Sequence, residues 1–132
     1  MPIVVVDASA AVELLLRTPA GRQVGHSLGA ASATAPAHFD AEVFSALGRL
    51  ARDGAMNDAL VVPALVELAR APIRRLPVAP LLEEAWALRD NISLRDALYV
   101  VLGRRLEASL LTADARLARV PGLGIPVTVV AA

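Results

Sequence analysis

The chain opens with Ile3-Val4-Val5-Val6-Asp7-Ala8-Ser9-Ala10-Ala11. Four consecutive β-branched residues predict a strand covered on both faces, as in a parallel sheet. An acid stands at its end, and a helix-forming run over residues 8–17 follows at once. Either Asp7 or Ser9 can cap that helix. A buried strand feeding directly into a helix is how a βαβ unit begins. A dinucleotide-binding unit would need a glycine-rich first turn, and Asp7-Ala8-Ser9-Ala10-Ala11 has none.

The same alternation continues outward. Thr18-Pro19 breaks the first helix, and residues 20–28 read as a weak second one. Residues 33–35 suit a short strand. Pro36 is expected to start a strong helix running to about Asp53 and closed by Gly54. Asn57 caps a further helix to Ala71, interrupted by Pro63. Residues 74–78 read as a strand, Pro80 opens a helix to about Arg89, and Ser93 caps one that reaches Glu107. Residues 109–112 form a second buried strand, 114–119 a short helix and 125–130 a closing strand. The expectation is an α/β fold in three layers, with a central, mostly parallel sheet of four to five strands and helices on both faces. Residues 1–132 read as one domain, without repeat or linker. The helix over 59–71 is apolar nearly all round, with Glu67 the main exception. Such a helix needs cover on every side, from deep burial or from a second subunit.

Composition narrows the chemistry. The 132 residues are 56% hydrophobic and 20% charged, which excludes disorder. There is no cysteine, so disulfides, thiolate zinc sites and cysteine nucleophiles are excluded together. All thirteen basic residues are arginine. Without lysine there is no Schiff base and no P-loop, and neither a receiver domain nor a haloacid-dehalogenase-type phosphatase has its required lysine. No apolar run approaches the ~20 residues of a membrane span. The N-terminus lacks the basic stretch of a signal peptide, so the expected location is the cytoplasm.

Four carboxylates then stand out. In a parallel α/β sheet, ligands sit beyond the carboxyl ends of the strands. Asp7 ends the first strand and Asp114 follows the 109–112 strand by two residues. Asp96 lies in the first turn of the helix capped by Ser93, and Glu42 lies within the apolar stripe Phe39, Val43, Leu47, Leu50. Each has an ordinary alternative: a helix cap for Asp7 and Asp114, a dipole partner for Asp96, an exposed residue for Glu42. Together on one crevice they would repel one another and raise their own pKa values. A hard divalent cation such as Mg²⁺, which takes oxygen ligands and keeps water, relieves that repulsion.

Four strings carry a family likeness: Val5-Val6-Asp7-Ala8-Ser9, Phe39-Asp40-Ala41-Glu42-Val43, Arg95-Asp96-Ala97-Leu98-Tyr99 and Leu111-Thr112-Ala113-Asp114-Ala115-Arg116. In order and spacing they resemble PIN-domain ribonucleases, closest to the VapC-type toxins of toxin–antitoxin pairs. The resemblance implies a PIN-like fold and a metal-dependent endoribonuclease, usually dimeric and held inactive by a VapB-type antitoxin. It maps the catalytic and metal-site acids onto Asp7, Glu42, Asp96 and Asp114, and accessory hydroxyls onto Ser9 and Thr112. Some relatives carry a further acid where this chain has Arg116, which argues against a full second metal site. Arg95 stands where relatives often carry an aromatic residue. Both arginines are candidate contacts for substrate phosphate.

The implied mechanism is phosphodiester hydrolysis with Mg²⁺, or Mn²⁺ in its place, held by Asp7, Asp96 and Asp114. Glu42 holds a second ion or orients the attacking water. His26 and His38 read as structural or solvated. Phe39, Phe44, Trp86 and Tyr99 read as core or interface. Setting the four acids aside leaves nine against thirteen arginines, which suits a polyanion approaching an acidic hole. The rival expectation is a PIN-like module that binds RNA or serves as a scaffold without cutting.

Overall fold

The computed structural model describes residues 1–131. Five strands form one sheet: β1 (Ile3–Val6), β2 (Ser32–Pro36), β3 (Ile73–Leu76), β4 (Ser109–Thr112) and β5 (Val127–Val129). Their order is β3-β2-β1-β4-β5, and every neighbouring pair is parallel. The mostly parallel sheet expected from the sequence is therefore wholly parallel, with β1 at its centre. Val5 and Val6 have no exposed surface, which explains the unbroken β-branched run.

Among the described residues seven α-helices surround the sheet: α1 (Ala8–Leu16), α2 (Pro19–Gly29), α3 (Phe39–Arg52), α4 (Val61–Arg70), α5 (Leu82–Trp86), α6 (Leu94–Leu106) and α7 (Ala115–Ala118). The chain travels from β1 through β2 to the β3 edge, then returns across the sheet to β4 and β5. Right-handed crossovers place the helices of the outward leg on one face and those of the return on the other. In agreement, α1 packs on α2, α3 and α4, whereas α6 lies on β1, β2 and β4. The direction of travel reverses between β1 and β4, so a crevice opens beyond their carboxyl ends.

Several boundaries differ from the sequence reading. Pro36 does not start the third helix; it is the last residue of β2, paired with Leu76. The next residue resumes the ladder, with Ala37 N–H donating to the Leu76 carbonyl at 2.7 Å. Proline's missing donor costs least at a strand end. Pro63 does not interrupt its helix, because it falls in the first turn of α4, where the amide needs no partner. The helix expected from Pro80 to Arg89 shortens to a 3-10 turn (Ala79–Leu81) followed by α5. The strand expected at 74–78 is β3 at Ile73–Leu76, and the closing strand contracts to Val127–Val129.

The apolar helix is not deeply buried. Only Ala64 and Leu68 of α4 are buried, while Val62 and Val66 are exposed. Phe44 and Trp86 are likewise exposed, at 62% and 57%, and so are not core residues of this chain. Phe39 and Tyr99 are core. Arg75 ties the start of α3 to β3. Its guanidinium donates to both Asp40 oxygens at 3.1 and 2.9 Å and to the Leu68, Ala71 and Ile73 carbonyls. It also lies over the Phe39 ring.

The α1–α2 corner depends on a close backbone approach. A Cβ on Gly21 would stand 2.1 Å from the Glu13 carbonyl oxygen. Gly21→Ala is expected to lower the melting temperature by several degrees, in line with the ~1–3 kcal/mol cost of overpacking. Gly29→Ala, whose Cβ meets nothing within 4 Å, should leave it unchanged or slightly raised. Thermal denaturation of the two variants checks this.

Candidate active site

β1 delivers Asp7 to the crevice. Its backbone N–H extends the ladder by donating to the Leu111 carbonyl at 2.9 Å. Asp7 occupies the N-cap position of α1, yet its side chain caps nothing. Instead Oδ2 accepts hydrogen bonds from Ser9 Oγ at 2.8 Å and Thr112 Oγ1 at 2.7 Å. The two hydroxyls lie 3.2 Å apart. Each also accepts a backbone amide from the loop after β4: Ala113 N–H to Ser9 at 3.0 Å and Asp114 N–H to Thr112 at 3.0 Å. Asp7 is only 6% exposed and Thr112 is fully buried. Ser9 and Thr112 therefore orient the Asp7 carboxylate.

α3 and α6 bring the second pair of acids. Glu42, in the first turns of α3, accepts Tyr99 Oη at 2.7 Å on Oε1. His38 Nε2 lies 3.2 Å from the same oxygen, and Arg95 Nη1 lies 3.8 Å from Oε2. Asp40, two residues earlier, points to Arg75 instead, as expected for helical neighbours that face different ways. Asp96 sits in the first turn of α6, whose cap is made by Ser93 Oγ accepting the Asp96 amide at 3.1 Å.

Asp114 does act as a helix cap. Its Oδ1 accepts the Arg116 amide at 3.0 Å and Arg116 Nε at 3.1 Å, while Oδ2 takes Arg116 Nη2 at 3.0 Å. Its carboxylate is thus already engaged by a two-pronged cation.

All four acids line one cleft of about 380 Å³, together with Ser9, Arg95 and Arg116. Thr112 lies beneath it, bonded to Asp7. Arg49, not singled out by sequence, also lines the cleft, as does Ser93, which the sequence marks only as a helix cap. His38 and Tyr99 were missed as well: His38 was read as structural or solvated, yet it contacts Glu42. The available signal was helical spacing. His38 is one turn before Glu42, and Tyr99 lies three residues after Asp96. His26, in the last turn of α2, is no part of the site.

The carboxylates feel one another. Burial raises the Asp7 carboxyl above its ordinary range, against the hydrogen bonds of Thr112 and Ser9, and the charges of Asp96 and Glu42 raise it further. Asp96 is raised by burial and by the charges of Glu42 and Asp114, which outweigh Ser93 and Arg95. Glu42 moves the other way: burial raises it, but the bonds from His38 and Tyr99 and the nearby Arg95 charge hold it low. The Arg116 fork holds Asp114 low. The Tyr99 hydroxyl is driven upward by burial and by Glu42, so it remains a donor.

The donor set fits a hard cation, because every strong donor in the cleft is a carboxylate oxygen. Among the described residues no three such groups close into a finished cage. An open cleft suits a hard cation that takes few carboxylates and keeps several of its own waters.

Comparison with known proteins agrees with this geometry. The PIN domain family model matches residues 4–123. Ribonuclease VapC3 of Mycobacterium tuberculosis is 51% identical over 117 residues, covering 88% of this chain and 85% of that protein. Ribonuclease VapC12 of the same organism is 38% identical over 129 residues, covering 98% and 100%. The crystal structure of VapBC2 from Rickettsia felis, bound to a DNA fragment from their promoter, superposes with a TM-score of 0.68. It covers 96% of this chain and 97% of that one at 11% identity, and so speaks to the fold alone. The chain is a PIN domain protein. Within that class it belongs to the VapC ribonuclease family.

Crowded anions make a checkable prediction. A carboxyl raised in the folded state costs stability once ionised, and a neutral amide removes that cost. Without divalent ions near pH 7, Asp96→Asn should therefore melt higher than the wild type, and the difference should shrink or reverse when Mg²⁺ is added. Paired thermal scans with EDTA and with Mg²⁺ measure both.

Proposed function

We propose that this chain is a metal-dependent endoribonuclease, the toxin of a toxin–antitoxin pair, which hydrolyses RNA phosphodiester bonds at the carboxylate cleft. The reading takes residues 1–132 as a single PIN domain working in the cytoplasm. The observation that carries it is the meeting of Asp7, Glu42, Asp96 and Asp114 on one cleft, with Asp7 buried and braced by two hydroxyls. The relatives' names, Ribonuclease VapC3 and VapC12, support RNA as the substrate. Membership of the VapC family supports a VapB-type antitoxin as partner. A homodimer would use apolar ground left open on α3 and α4, where Phe44, Val62 and Val66 are exposed.

Asp7 and Asp96 would hold Mg²⁺, or Mn²⁺ in its place, since theirs are the carboxyls whose charge is least compensated. A bound ion polarises a phosphoryl oxygen and lowers the pKa of its water, which supplies the nucleophile. Glu42, kept ionised by its two donors, would help to hold the ion through a bound water and would align that water for attack. Asp114 completes the site through water while it stays paired to Arg116. The exposed guanidiniums of Arg95 and Arg116 meet RNA phosphates at the rim. Ser9 and Thr112 keep Asp7 in a single orientation.

Purified wild-type protein should cleave single-stranded RNA with Mg²⁺ or Mn²⁺ and stop with EDTA. Asp7→Asn keeps the shape and an acceptor oxygen for the hydroxyls, yet should reduce cleavage to background with the fold intact by circular dichroism. Divalent ions should raise the melting temperature of the wild type more than that of Asp96→Ala. RNA binding with no cleavage under any divalent ion would instead establish the non-cutting module.

A further inference from the structure

One imidazole links an acid of the cleft to the backbone beside another. His38 stands at the N-cap position of α3, but its ring makes no cap. Nε2 lies 3.2 Å from Glu42 Oε1 and 3.2 Å from the Arg95 carbonyl oxygen. Both partners are acceptors, so Nε2 carries the hydrogen and shares it. Nδ1 is buried and has no hydrogen-bond partner among the described residues. A hydrogen there would be stranded without an acceptor, which selects the same tautomer. The ring packs against Tyr99 at 4.9 Å between centroids, tilted by 56°. Tyr99 in turn donates to the same Glu42 oxygen.

The Arg95 carbonyl belongs to the first turn of α6, next to Asp96. His38 therefore spans from the Glu42 carboxylate on α3 to the backbone that carries Asp96 on α6. These two helices come from opposite faces of the sheet, and their two acids repel each other. We propose that His38 is a positioning residue of the catalytic cleft: its shared Nε2 hydrogen fixes the distance between Glu42 and Asp96 and so sets the affinity for the divalent ion. Tyr99 braces the same Glu42 oxygen, leaving Oε2 toward Arg95 and the cleft. The inference rests on the metal-dependent reading above.

Three variants separate positioning from simple packing. His38→Ala removes the bridge. His38→Gln can return an amide N–H close to the Nε2 position. His38→Asn has the shorter reach, toward the Nδ1 position only. Mn²⁺ binding is read directly by titration calorimetry, and RNA cleavage is followed against Mn²⁺ concentration. His38→Ala should bind Mn²⁺ about 10-fold more weakly or worse, the usual cost of losing an outer support of a ligand. Its cleavage should need correspondingly more Mn²⁺. His38→Gln should restore much of the affinity and His38→Asn should not. Unchanged Mn²⁺ affinity in a folded His38→Ala overturns the inference while leaving the ribonuclease reading intact. Equal loss in all three variants, in step with lost stability, also overturns it and assigns His38 to packing. A wild type that cuts RNA without binding Mn²⁺ or Mg²⁺ sinks the metal reading and this inference with it.

Discussion

Asp7 is placed where a carboxylate is costly: directly after Val5 and Val6, which have no exposed surface, on the central strand of a five-stranded sheet. What makes it tolerable is a pair of hydroxyl donors, Ser9 and Thr112, both on Oδ2. Thr112 is 105 residues away in sequence, and only the parallel pairing of β1 with β4 brings it there. Val6 is in register with Leu111, so Thr112 is the next step along the neighbouring strand. A slip of one residue would turn the Thr112 hydroxyl to the other face of the sheet. The register that supports Asp7 also sets Asp114, whose amide donates to Thr112. Sheet pairing, carboxylate burial and site geometry are therefore one constraint.

The other two acids arrive by a different route. Glu42 comes from α3 on the outward leg and Asp96 from α6 on the return leg, so no strand pairing relates them. Their relation is set above the strand ends, where Tyr99 and His38 reach across from one helix to the other. This explains why Tyr99 is fully buried while carrying a hydroxyl: the Glu42 carboxylate satisfies it. Two acids are held by the sheet and two by side chains crossing between layers. The second pair is the softer half of the site, because it rests on a few hydrogen bonds and not on a ladder.

The legibility of the sequence follows this division. The run Ile3–Val6 with Asp7 at its end showed both the buried parallel strand and the acid, because burial on two faces leaves an unmistakable apolar string. The Ser109–Thr112 strand and Ser93 cap were readable for the same local reasons. Pro36 misled because proline suits a helix start and a strand end equally well, and only the pairing with Leu76 decides between them. The role of His38 was hidden because it depends on Arg95, 57 residues away, and no local pattern reports such a contact. Trp86 and Phe44 read as core or interface from the sequence, and the structure excludes only the core. Their exposure shows that a large apolar residue gains burial only where the fold offers a neighbour.

Charge compensation orders the four acids more finely than their shared cleft does. Arg116 occupies both oxygens of Asp114, and Glu42 has His38, Tyr99 and Arg95 about it. Both of those carboxyls sit below their ordinary range, and so remain ionised without help. Asp7 and Asp96 have no cation of comparable closeness, and both sit above it. A divalent ion gains most where negative charge is least satisfied, so on the proposed reading its seat lies between these two. That matches the habit of magnesium, which binds through one or two carboxylates and leaves its remaining positions to water and phosphate. Arg116 holds Asp114 ionised and in place. On the proposed reading it would also offer an incoming polyanion a cation at the edge of an otherwise repellent hole.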